Sequence, residues 1–474
     1  MNPRTPFAAS TIFILIATLA QLATAQVMPR GNQSSPPGSS AGLAPDIAAA
    51  TDAEMADRVR QEFRHAWEGY KRYAWGHDEL KPLSKSYHDW YAKSLLMTPV
   101  DALDTMALMG MTDDAAKTRD YIAANLSFDQ DIYVKNFEIT IRMLGGLLSS
   151  YQLSGDKRLL ALADDLGTRL LPAFNSPTGM PYVDVNLKTG AVRGVETNPA
   201  EVGTLLIEFG MLTKLTGRTV YCERAKRAVS ELYKRRSRIG LVGSGINIST
   251  GQWTDPVSHI GGGIDSYYEY LLKASLLFDD KDCQRMWTSS IEAVNKYLAD
   301  EVSTGFWYGQ ANMNTGDRAS TYFGALDAFF PGTLALSGDL DRARKLEDSA
   351  YKMWTTFGIE PEEINYKKMT IAANGYELRP EIIESAFYLY RFTHDPRYRE
   401  MGKVFFDSLT KYCRTDVAYA ALSDVKRKTK KDEMESFFLA ETLKYLYLLF
   451  SPDNTLDLSR NVFNTEAHPM RKVW

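Results

Sequence analysis

Ser154-Gly155-Asp156 is a short turn between an apolar segment, Phe137 to Leu153, and an amphipathic segment, Leu159 to Leu171. Four similar turns recur further along the chain, and each again ends an apolar segment: Thr216-Gly-Arg218, Asp279-Asp280, Ser337-Gly-Asp339 and Thr393-His-Asp395. Counted from positions 155, 217, 279, 338 and 394, the spacings are 62, 62, 59 and 56 residues. A period of this length with two helices per unit indicates a repeat architecture.

The first helix of each unit is the more apolar one, and the second carries a charged face. We therefore expect the first helix to be inner and the second to be outer, which describes an α/α toroid whose units bury their faces against each other. An open solenoid is the alternative, and the spacing leaves open whether there are six or seven units. The predicted helical segments are Ala53 to Tyr73, Tyr87 to Met109, Phe137 to Leu153, Leu159 to Leu171, Glu201 to Leu215, Cys222 to Arg235, Asp265 to Leu277, Gln284 to Leu298, Tyr322 to Leu336, Leu340 to Phe357, Pro380 to Phe392, Tyr398 to Tyr412 and Met434 to Phe450.

Strand signals are few, so the predicted class is all-α. Met180 to Val185 and Ala191 to Arg193 flank a Lys-Thr-Gly turn and are typical of a hairpin. Leu456 to Leu458 and Val462 to Pro469, after the last helix, indicate a second one. We expect this C-terminal hairpin to enter the hole of the helical ring.

The composition is that of a globular protein: 45% of the 474 residues are hydrophobic and the net charge is −4. No basic stripe indicates nucleic-acid binding. Residues 1–25 predict a cleaved signal peptide ending in Ala23-Thr-Ala25, and 26–50 predict a disordered linker. The domain would then span 51–474, without a membrane span in the mature chain. We expect a secreted or periplasmic monomer, with an uncleaved membrane anchor as the alternative.

Cys222, Cys283 and Cys413 are the three cysteines. An odd and sparse set is not a disulfide framework, and the sequence leaves open whether any two of them pair. The chain has no CxxC, no HExxH and no histidine cluster, which argues against a zinc site.

The segment Glu377 to Arg391 is the strongest candidate for chemistry. Glu381 follows Pro380 in the first turn of a predicted helix, where free N–H groups favour an ionised carboxylate. Arg379 adds a positive charge beside it. We therefore expect Glu381 to have a low pKa, as a base should. The alternative is an acidic first turn that only caps the helix.

Further acidic residues lie on several predicted inner helices. A charged side chain on an apolar helix face is costly unless it is paired or hydrated, and helices of one ring would bring several such groups to its axis. Carboxylates beside aromatic side chains suit the cleavage of glycosidic bonds. The candidates are Glu138 with Arg142 one turn on, Asp265, Glu384, Glu435, and Glu441 with Phe437 one turn before it.

Long motifs in this sequence resemble the class I α-mannosidases of glycoside hydrolase family 47, possibly a bacterial member. The resemblance covers residues 60 to 470. The motifs that carry it are Val100-Asp-Ala-Leu-Asp-Thr105, Phe137-Glu-Ile-Thr-Ile-Arg142, Leu144-Gly-Gly-Leu147, Ala200-Glu-Val-Gly-Thr204, Asp265-Ser-Tyr-Tyr-Glu-Tyr270, Pro331-Gly-Thr333, Arg379-Pro-Glu-Ile-Ile-Glu-Ser385, Met434-Glu-Ser-Phe-Phe-Leu439 and Phe463-Asn-Thr-Glu-Ala-His-Pro469.

This resemblance implies an (α/α)7 barrel plugged at one end by the C-terminal hairpin. It implies inverting, calcium-dependent hydrolysis of terminal α-1,2-linked mannose in high-mannose glycans or mannobiose. Glu381 matches the proposed base, Glu138 the proposed acid with Asp265 as the other candidate, and Thr465 the residue that gives oxygen ligands to Ca²⁺. The residues matching the sugar and calcium surroundings are Arg142, Arg379, Glu384, Phe437, Glu441 and Glu466.

Two positions depart from the pattern of processing mannosidases. Ala325 stands where many of them have a histidine, and Ala328 stands where a disulfide cysteine is common. Here the sequence looks more like the degradation-associated, mannosidase-like branch. A mannose-glycan-binding or quality-control protein with little turnover is therefore the alternative function.

Overall fold

The computed structural model describes residues 45–472, with side chains from residue 51 onward. The predicted signal peptide and most of the predicted linker lie outside these residues. The first helix begins at Pro45, so the last residues of the predicted linker belong to that helix.

The five turns that set the repeat share one backbone conformation. The residue that ends each inner helix has a left-handed φ, from 52° at Asp279 and His394 to 92° at Gly338. The next residue then caps the outer helix in three of the turns: the Asp156 side chain accepts from Arg158 N–H at 3.0 Å, and Asp280 and Asp339 cap in the same way. Two residues thus end one helix and start the next.

Within residues 45–472 the helices alternate between an outer and an inner position. The odd-numbered ones are outer and the even-numbered ones inner. In chain order they are α1 (Pro45–Tyr73), α2 (Met97–Leu108), α3 (Thr112–Asn125), α4 (Asn136–Ile139, Thr140–Leu144 and Gly145–Ser154 in succession), α5 (Lys157–Leu170), α6 (Pro199–Gly203 and Leu206–Thr216), α7 (Val220–Lys234), α8 (Asp265–Phe278), α9 (Lys281–Tyr297), α10 (Leu326–Phe329 and Phe330–Ser337), α11 (Leu340–Phe357), α12 (Glu381–Thr393), α13 (Arg397–Tyr412) and α14 (Phe438–Thr442 and Leu443–Phe450). Short 3₁₀ turns add Leu171–Phe174 and Asp453–Thr455.

Neighbouring inner helices contact one another around the whole ring, and α14 closes it by packing on α2. The described chain is therefore a closed (α/α)7 barrel, as predicted. Closure decides against the open solenoid, and the number of units is seven.

Long connections lead from each outer helix to the next inner helix, and short strands form there. The strands are β1 (Glu79–Lys81), β2 (Ser86–His88), β3 (Tyr133–Lys135), β4 (Asp184–Asn186), β5 (Val192–Arg193), β6 (Glu196–Thr197), β7 (Gly245–Asn247), β8 (Gln252–Asp255), β9 (Val257–Ser258), β10 (Ala299–Val302), β11 (Gly305–Tyr308), β12 (Gln310–Asn312), β13 (Arg318–Ser320), β14 (Tyr322–Gly324), β15 (Glu363–Asn365), β16 (Thr370–Ala373), β17 (Leu422–Asp424), β18 (Thr429–Lys430), β19 (Asn461–Phe463) and β20 (Pro469–Arg471).

Strands β1 to β18 form a belt at one end of the barrel, which we call the mouth. Four pairs of neighbouring connections are joined by strands: β3 with β4, β6 with β7, β9 with β12 and β14 with β15, all antiparallel. Single bridges join Tyr376 to Leu422 and Leu80 to Met434. The opposite end carries the two-residue turns, and we call it the turn end.

The last hairpin, β19 with β20, enters the barrel from the turn end, because α14 ends there. Val462 pairs with Met470, and the two strands contact α4 and α8. The predicted strand bounds were shifted: Leu456 to Leu458 is not a strand, and β20 extends to Arg471. Asn464 sets the register, because its Oδ1 accepts from the N–H groups of Glu466 and His468 at 3.0 and 2.8 Å.

Several predicted segments were wrong at their starts. α2 begins at Met97, not at Tyr87, because Asp78 binds the N–H groups of Trp90, Leu95 and Met97 and holds the preceding chain in a loop. The segment from Tyr322 starts as strand β14, and the sequence analysis missed α3, which has few apolar residues. The hairpin predicted at 180–193 is confirmed by the β4–β5 pair.

Candidate active site

Ten of the residues singled out from the sequence line one cavity of about 310 Å³ at the axis of the barrel, and the remaining candidate, Glu435, does not line it. Six of the seven inner helices or their N-terminal approaches contribute to its wall, and the turn of the β19–β20 hairpin contributes the floor. The inner helices begin at the mouth, so residues near their N-termini face the cavity. The ten residues are Glu138, Arg142, Asp265, Arg379, Glu381, Glu384, Phe437, Glu441, Thr465 and Glu466.

Two arginines lie close to one aromatic ring of the cavity wall. The guanidinium groups of Arg142 and Arg379 lie 5.7 and 5.6 Å from the ring centroid of Phe437. Cations at this distance are attracted to an aromatic face. The Phe437 ring is thereby held in place at the cavity wall.

Each of these arginines is also paired with carboxylates. Arg142 Nε donates to Glu138 Oε2 at 3.1 Å, and Arg142 Nη1 pairs with Glu466. Arg379 binds Glu362 through two nitrogens, with its Nη2 3.0 Å from Oε2. Bidentate pairs of this kind fix both side chains.

Glu381 contradicts the expectation of a low pKa. Burial raises the pKa of Glu381 to about 8, although Arg379 acts to lower it. The helix N-terminus and one arginine do not offset the loss of water, and the Arg379 charge is shared with Glu362. Glu381 Oε2 has no hydrogen-bond partner among the described residues.

The floor of the cavity gathers more carboxyl groups than cations. Burial raises the pKa of Glu384 to about 7 and that of Glu466 to about 8, and it raises the pKa of Glu441 well above its usual range. Thr465 lies half-buried beside them, and its N–H donates to Tyr270 Oη at 3.3 Å. A partly desolvated group of like charges favours either protons or a bound cation.

Asp265 is the first residue of α8, on the cavity wall. Burial raises the pKa of Asp265 to about 7, although the N–H of Ser266 donates to its Oδ1 at 2.7 Å. A carboxyl group with such a pKa can hold a proton near neutral pH and release it during a reaction.

The family model of glycosyl hydrolase family 47 matches residues 62–472. The chain belongs to this family. It has the fold of a glycoside hydrolase, and the predicted resemblance to this family is confirmed.

Individual relatives agree with the family model. The mouse protein named endoplasmic reticulum mannosyl-oligosaccharide 1,2-alpha-mannosidase is 39% identical over 453 residues, covering 89% of this chain and 68% of that protein. Mouse ER degradation-enhancing alpha-mannosidase-like protein 2 is 38% identical over 461 residues, covering 90% of this chain and 79% of that protein. The structure of an alpha-1,2-mannosidase from Trichoderma reesei superposes with a TM-score of 0.82 at 28% identity, covering 89% and 99% of the two chains.

Two residues of this family 47 site lie in π-helical turns that the sequence pattern did not indicate. Arg142 lies in the turn Thr140–Leu144 of α4, and Glu441 lies in the turn Phe438–Thr442 of α14. Such turns insert one residue into a helix and often occur at functional sites. Each turn shifts the side chains that follow it, so a regular helical wheel does not place them correctly.

The sequence analysis also missed four cavity-lining or supporting residues. Glu269 lines the cavity and pairs with the buried Lys273, which lies 3.6 Å from Glu384. Glu269 follows Asp265 by one helical turn and Lys273 follows it by another, so this spacing was the available signal. Asn198 and Glu201 line the cavity where α6 begins, and Asn198 caps that helix.

The donor set is compatible with a hard cation held partly through water. In residues 45–472, no group of three His, Cys, Asp or Glu side chains is arranged to hold a metal ion directly. Thr465 presents oxygen atoms at the floor, and the nearby carboxyl groups are placed to orient water molecules. Calcium prefers oxygen ligands with flexible coordination, so these residues fit calcium better than zinc.

Ala325, one of the two predicted departures from the family pattern, is fully buried and does not line the cavity, whereas Leu326 and Phe329 do. The thiols of Cys222, Cys283 and Cys413 are free, and no two of them are bonded.

Across the described residues, no helix is both long and apolar enough to cross a membrane.

Proposed function

We propose that this protein is a calcium-dependent, inverting exo-α-1,2-mannosidase that removes terminal α-1,2-linked mannose from high-mannose glycans or mannobiose. The observation that carries the proposal is the convergence of Glu138, Asp265 and Glu381 from three inner helices on one cavity with Thr465 at its floor. The names of the relatives, which are α-1,2-mannosidases and a mannosidase-like protein, support the choice of sugar and linkage.

The closed floor supports removal of terminal residues. The β19–β20 hairpin fills the barrel from the turn end, so a glycan enters from the mouth with its terminal sugar first. Phe437 offers an aromatic face, and Arg142 and Arg379 offer donors that sugar hydroxyl groups can use. A pocket of this shape suits cleavage from a chain end.

Glu381 is the base of the proposed mechanism. Its Oε2 has no partner among the residues that the structure describes, so it is free to accept a proton from water. The raised pKa makes it a stronger proton acceptor once ionised. Activation of water on one face of the sugar, while an acid protonates the leaving oxygen on the other, inverts the anomeric configuration.

Asp265 and Glu138 remain the two candidates for the proton donor. Burial raises the pKa of Asp265 to about 7, so this residue can carry the proton near neutral pH. Glu138 instead accepts a hydrogen bond from Arg142 Nε at 3.1 Å. We propose Asp265 as the donor, with Glu138 orienting Arg142 and the leaving group.

Thr465 would hold calcium through its hydroxyl and carbonyl oxygens, and Glu384, Glu441 and Glu466 would orient the waters around it. Bound calcium would coordinate sugar hydroxyl groups and provide an ordered site for the attacking water. Thr465 lies on the hairpin, so the plug of the barrel also presents the metal ligand.

Hydrolysis of α-1,2-mannobiose with and without chelator tests this function. We expect mannose release that stops in excess chelator and returns with added calcium. Early proton NMR spectra, taken before mutarotation, should show β-mannose as the first product. An initial α-mannose signal would exclude inversion, and full activity in chelator would exclude the calcium requirement.

α-Mannosyl fluoride distinguishes the two acid candidates, because fluoride leaves without protonation. If Asp265 is the donor, Asp265→Asn should lose activity on mannobiose but keep most of it on the fluoride, whereas Glu138→Gln should lose activity on both. The reverse pattern would assign the proton to Glu138.

A mannose-glycan-binding or quality-control role is the second candidate. The similarity to mouse ER degradation-enhancing alpha-mannosidase-like protein 2 favours it. Binding of a high-mannose glycan at micromolar affinity with no mannose released over a day would support this alternative over the enzyme.

We further propose export of the chain with cleavage after Ala25, to give a secreted or periplasmic protein whose domain spans 51–474. N-terminal sequencing of the protein recovered outside the cytoplasm checks this. A mature N-terminus at Gln26 is expected, and an intact Met1 on a membrane-bound protein would favour an anchor.

A further inference from the structure

A chain of alternating charges crosses the interior of the barrel below the cavity. Lys444 Nζ lies 2.7 Å from Asp104 Oδ1, and His468 Nδ1 lies 2.7 Å from Asp104 Oδ2. His468 Nε2 lies 3.3 Å from Asp101 Oδ1, and Asp101 Oδ2 lies 3.8 Å from Arg142 Nη1. The chain therefore reaches from α14 through the hairpin and α2 to the arginine of the cavity wall.

The first four members are fully buried, with 0% of each side chain exposed. Burying ions is expensive, and well-packed apolar side chains would stabilise a barrel core as well or better. These residues nevertheless hold defined polar contacts, including Ser149 Oγ on Asp104 at 2.8 Å and Ser436 Oγ on Asp101. A role in placing neighbouring groups accounts for the arrangement better than stability alone.

The chain is attached to the turn that presents Thr465. Ala467 has a φ of 56°, which a residue with a side chain rarely adopts, and Lys444 Nζ donates to its carbonyl oxygen at 2.6 Å. His468 N–H and Asn464 N–H close the turn through contacts to Asn464 Oδ1 and the His468 carbonyl. Lys444 and His468 thus hold the turn at its C-terminal side.

The protonation states agree with the geometry. Burial acts to lower the pKa of His468, but Asp104 and Asp101 raise it to about 9. Burial acts to raise the pKa of Asp104, but Lys444 and His468 lower it to about 2. At neutral pH His468 and Asp104 are therefore both charged.

We propose that Lys444, Asp104, His468 and Asp101 are positioning residues that set the place of Thr465 and Glu466 at the cavity floor and of Arg142 at its wall. None of the four lines the cavity. Their effect on the site passes through the hairpin turn on one side and through Arg142 on the other. The inference rests on the calcium role proposed for Thr465.

The test uses the full-length protein and two variants of the charged residues. His468→Gln removes the central charge, and Lys444→Gln combined with Asp104→Asn removes an opposite pair without leaving one member unpaired. Lys226→Gln is the matched control, because Lys226 forms an ion pair with Asp280 between outer helices, away from the cavity. Calcium affinity is measured by titration calorimetry, together with kcat, KM and the unfolding temperature in chelator.

We expect calcium affinity to fall at least tenfold in His468→Gln and in the double variant, with kcat reduced more than KM is raised. Lys226→Gln should keep the parent affinity even if its unfolding temperature falls. If His468→Gln does not fold, the double variant decides. Parent-like calcium affinity and kcat in a folded variant of the chain would overturn the proposal.

Failure of the calcium proposal is recognised separately, because the parent protein would then bind no calcium. In that case kcat decides. A fall in both chain variants but not in the control would still support the positioning role, and an unchanged kcat would overturn it.

Discussion

The two ends of the barrel are built differently. At the turn end, inner and outer helices are joined by short turns in which one residue takes a left-handed φ and, in three of the five repeated turns, the next residue caps a helix. At the mouth, the connections are long, and most of them pair with a neighbouring connection through short strands or single bridges. The turn end is thus built from local contacts, and the mouth from contacts between distant parts of the sequence.

The comparison separates the contacts that stabilise the fold from the groups that the proposed reaction uses. Caps and left-handed turns lower the free energy of the folded chain by small, local amounts. The mouth instead brings carboxyl groups such as Asp265 and Glu381 into a cavity where burial raises their pKa values to about 7 and 8. Such groups disfavour folding at neutral and alkaline pH, and they are the groups that the proposed reaction uses.

The largest expected effect comes from Glu381→Gln at the mouth. The amide cannot accept a proton from water, so kcat on mannobiose should fall by roughly 10²–10⁴-fold. The unfolding temperature at pH 7 should be kept, since the amide is nearly isosteric and neutral. Glu377→Gln, which alters a partner of Lys431 outside the cavity, is the control and should remain active. Unfolding of the Glu381 variant would mean that this residue is structural.

Next in size is the effect of Arg379→Gln on the pH profile. Arg379 acts to lower the pKa of Glu381, so its removal should raise that pKa and move the acidic limb of kcat/KM to higher pH. Each unit of displacement lowers kcat/KM about tenfold on that limb. Arg379→Lys keeps the charge and should move the limb less. A limb that stays in place would show that Glu381 does not set it.

The carboxyl groups of Asp265 and Glu381 should also make the stability of the protein depend on pH, which can be measured without substrate. Asp265 and Glu381 have pKa values raised from 3.8 and 4.5 to about 7 and 8 in the folded chain. The folded state therefore binds their protons more tightly, and the stability that this provides is lost as the pH rises from about 4 to about 8, between the unfolded and the folded pKa values.

In chelator, the unfolding temperature measured by calorimetry should fall by a few °C across this window. Glu381→Gln should reduce the fall, and calcium should reduce it as well if Thr465 binds it. An unfolding temperature that rises with pH in the same window would contradict these pKa shifts.

The smallest effect is expected at the turn end from Gly338→Ala. Gly338 has a φ of 92°, and a Cβ atom there would meet no other atom within 4 Å, so the change adds backbone strain alone. We expect a loss of roughly 1 kcal/mol in the free energy of unfolding, with kcat and KM unchanged. Gly338→Asn should lose less, because asparagine tolerates this conformation. A fall in kcat in the alanine variant would break the separation between the two ends.

Local sequence was sufficient for the helical repeat, whereas the closure of the ring and its seven units were decided by the structure. The glycine and aspartate residues of the repeated turns affect only the backbone within three residues of themselves. The helix ends that they predict therefore did not depend on the rest of the chain. The inner helices were recognised because their apolar residues outnumber their polar ones. α3 was missed because it packs on the ring with few apolar residues. Most of the belt strands were missed because each has only a few residues and pairs with a strand that is distant in the sequence.

For the site, the sequence by itself determined which of the key residues meet: the motifs of family 47 identified ten of the side chains that line the cavity, and a closed ring of helices brings them to one axis. The tertiary structure alone decided their ionisation and exact placement. Glu381 was expected to be acidic from its own helix turn, but burial by its surroundings raised its pKa instead. The charge chain through His468 likewise exists only after α2, α14 and the hairpin have packed together, because Asp101 and Asp104 of α2 are more than 300 residues from His468 in sequence. Local propensity acts along the chain, whereas desolvation and charge pairing depend on which distant segments enclose a group.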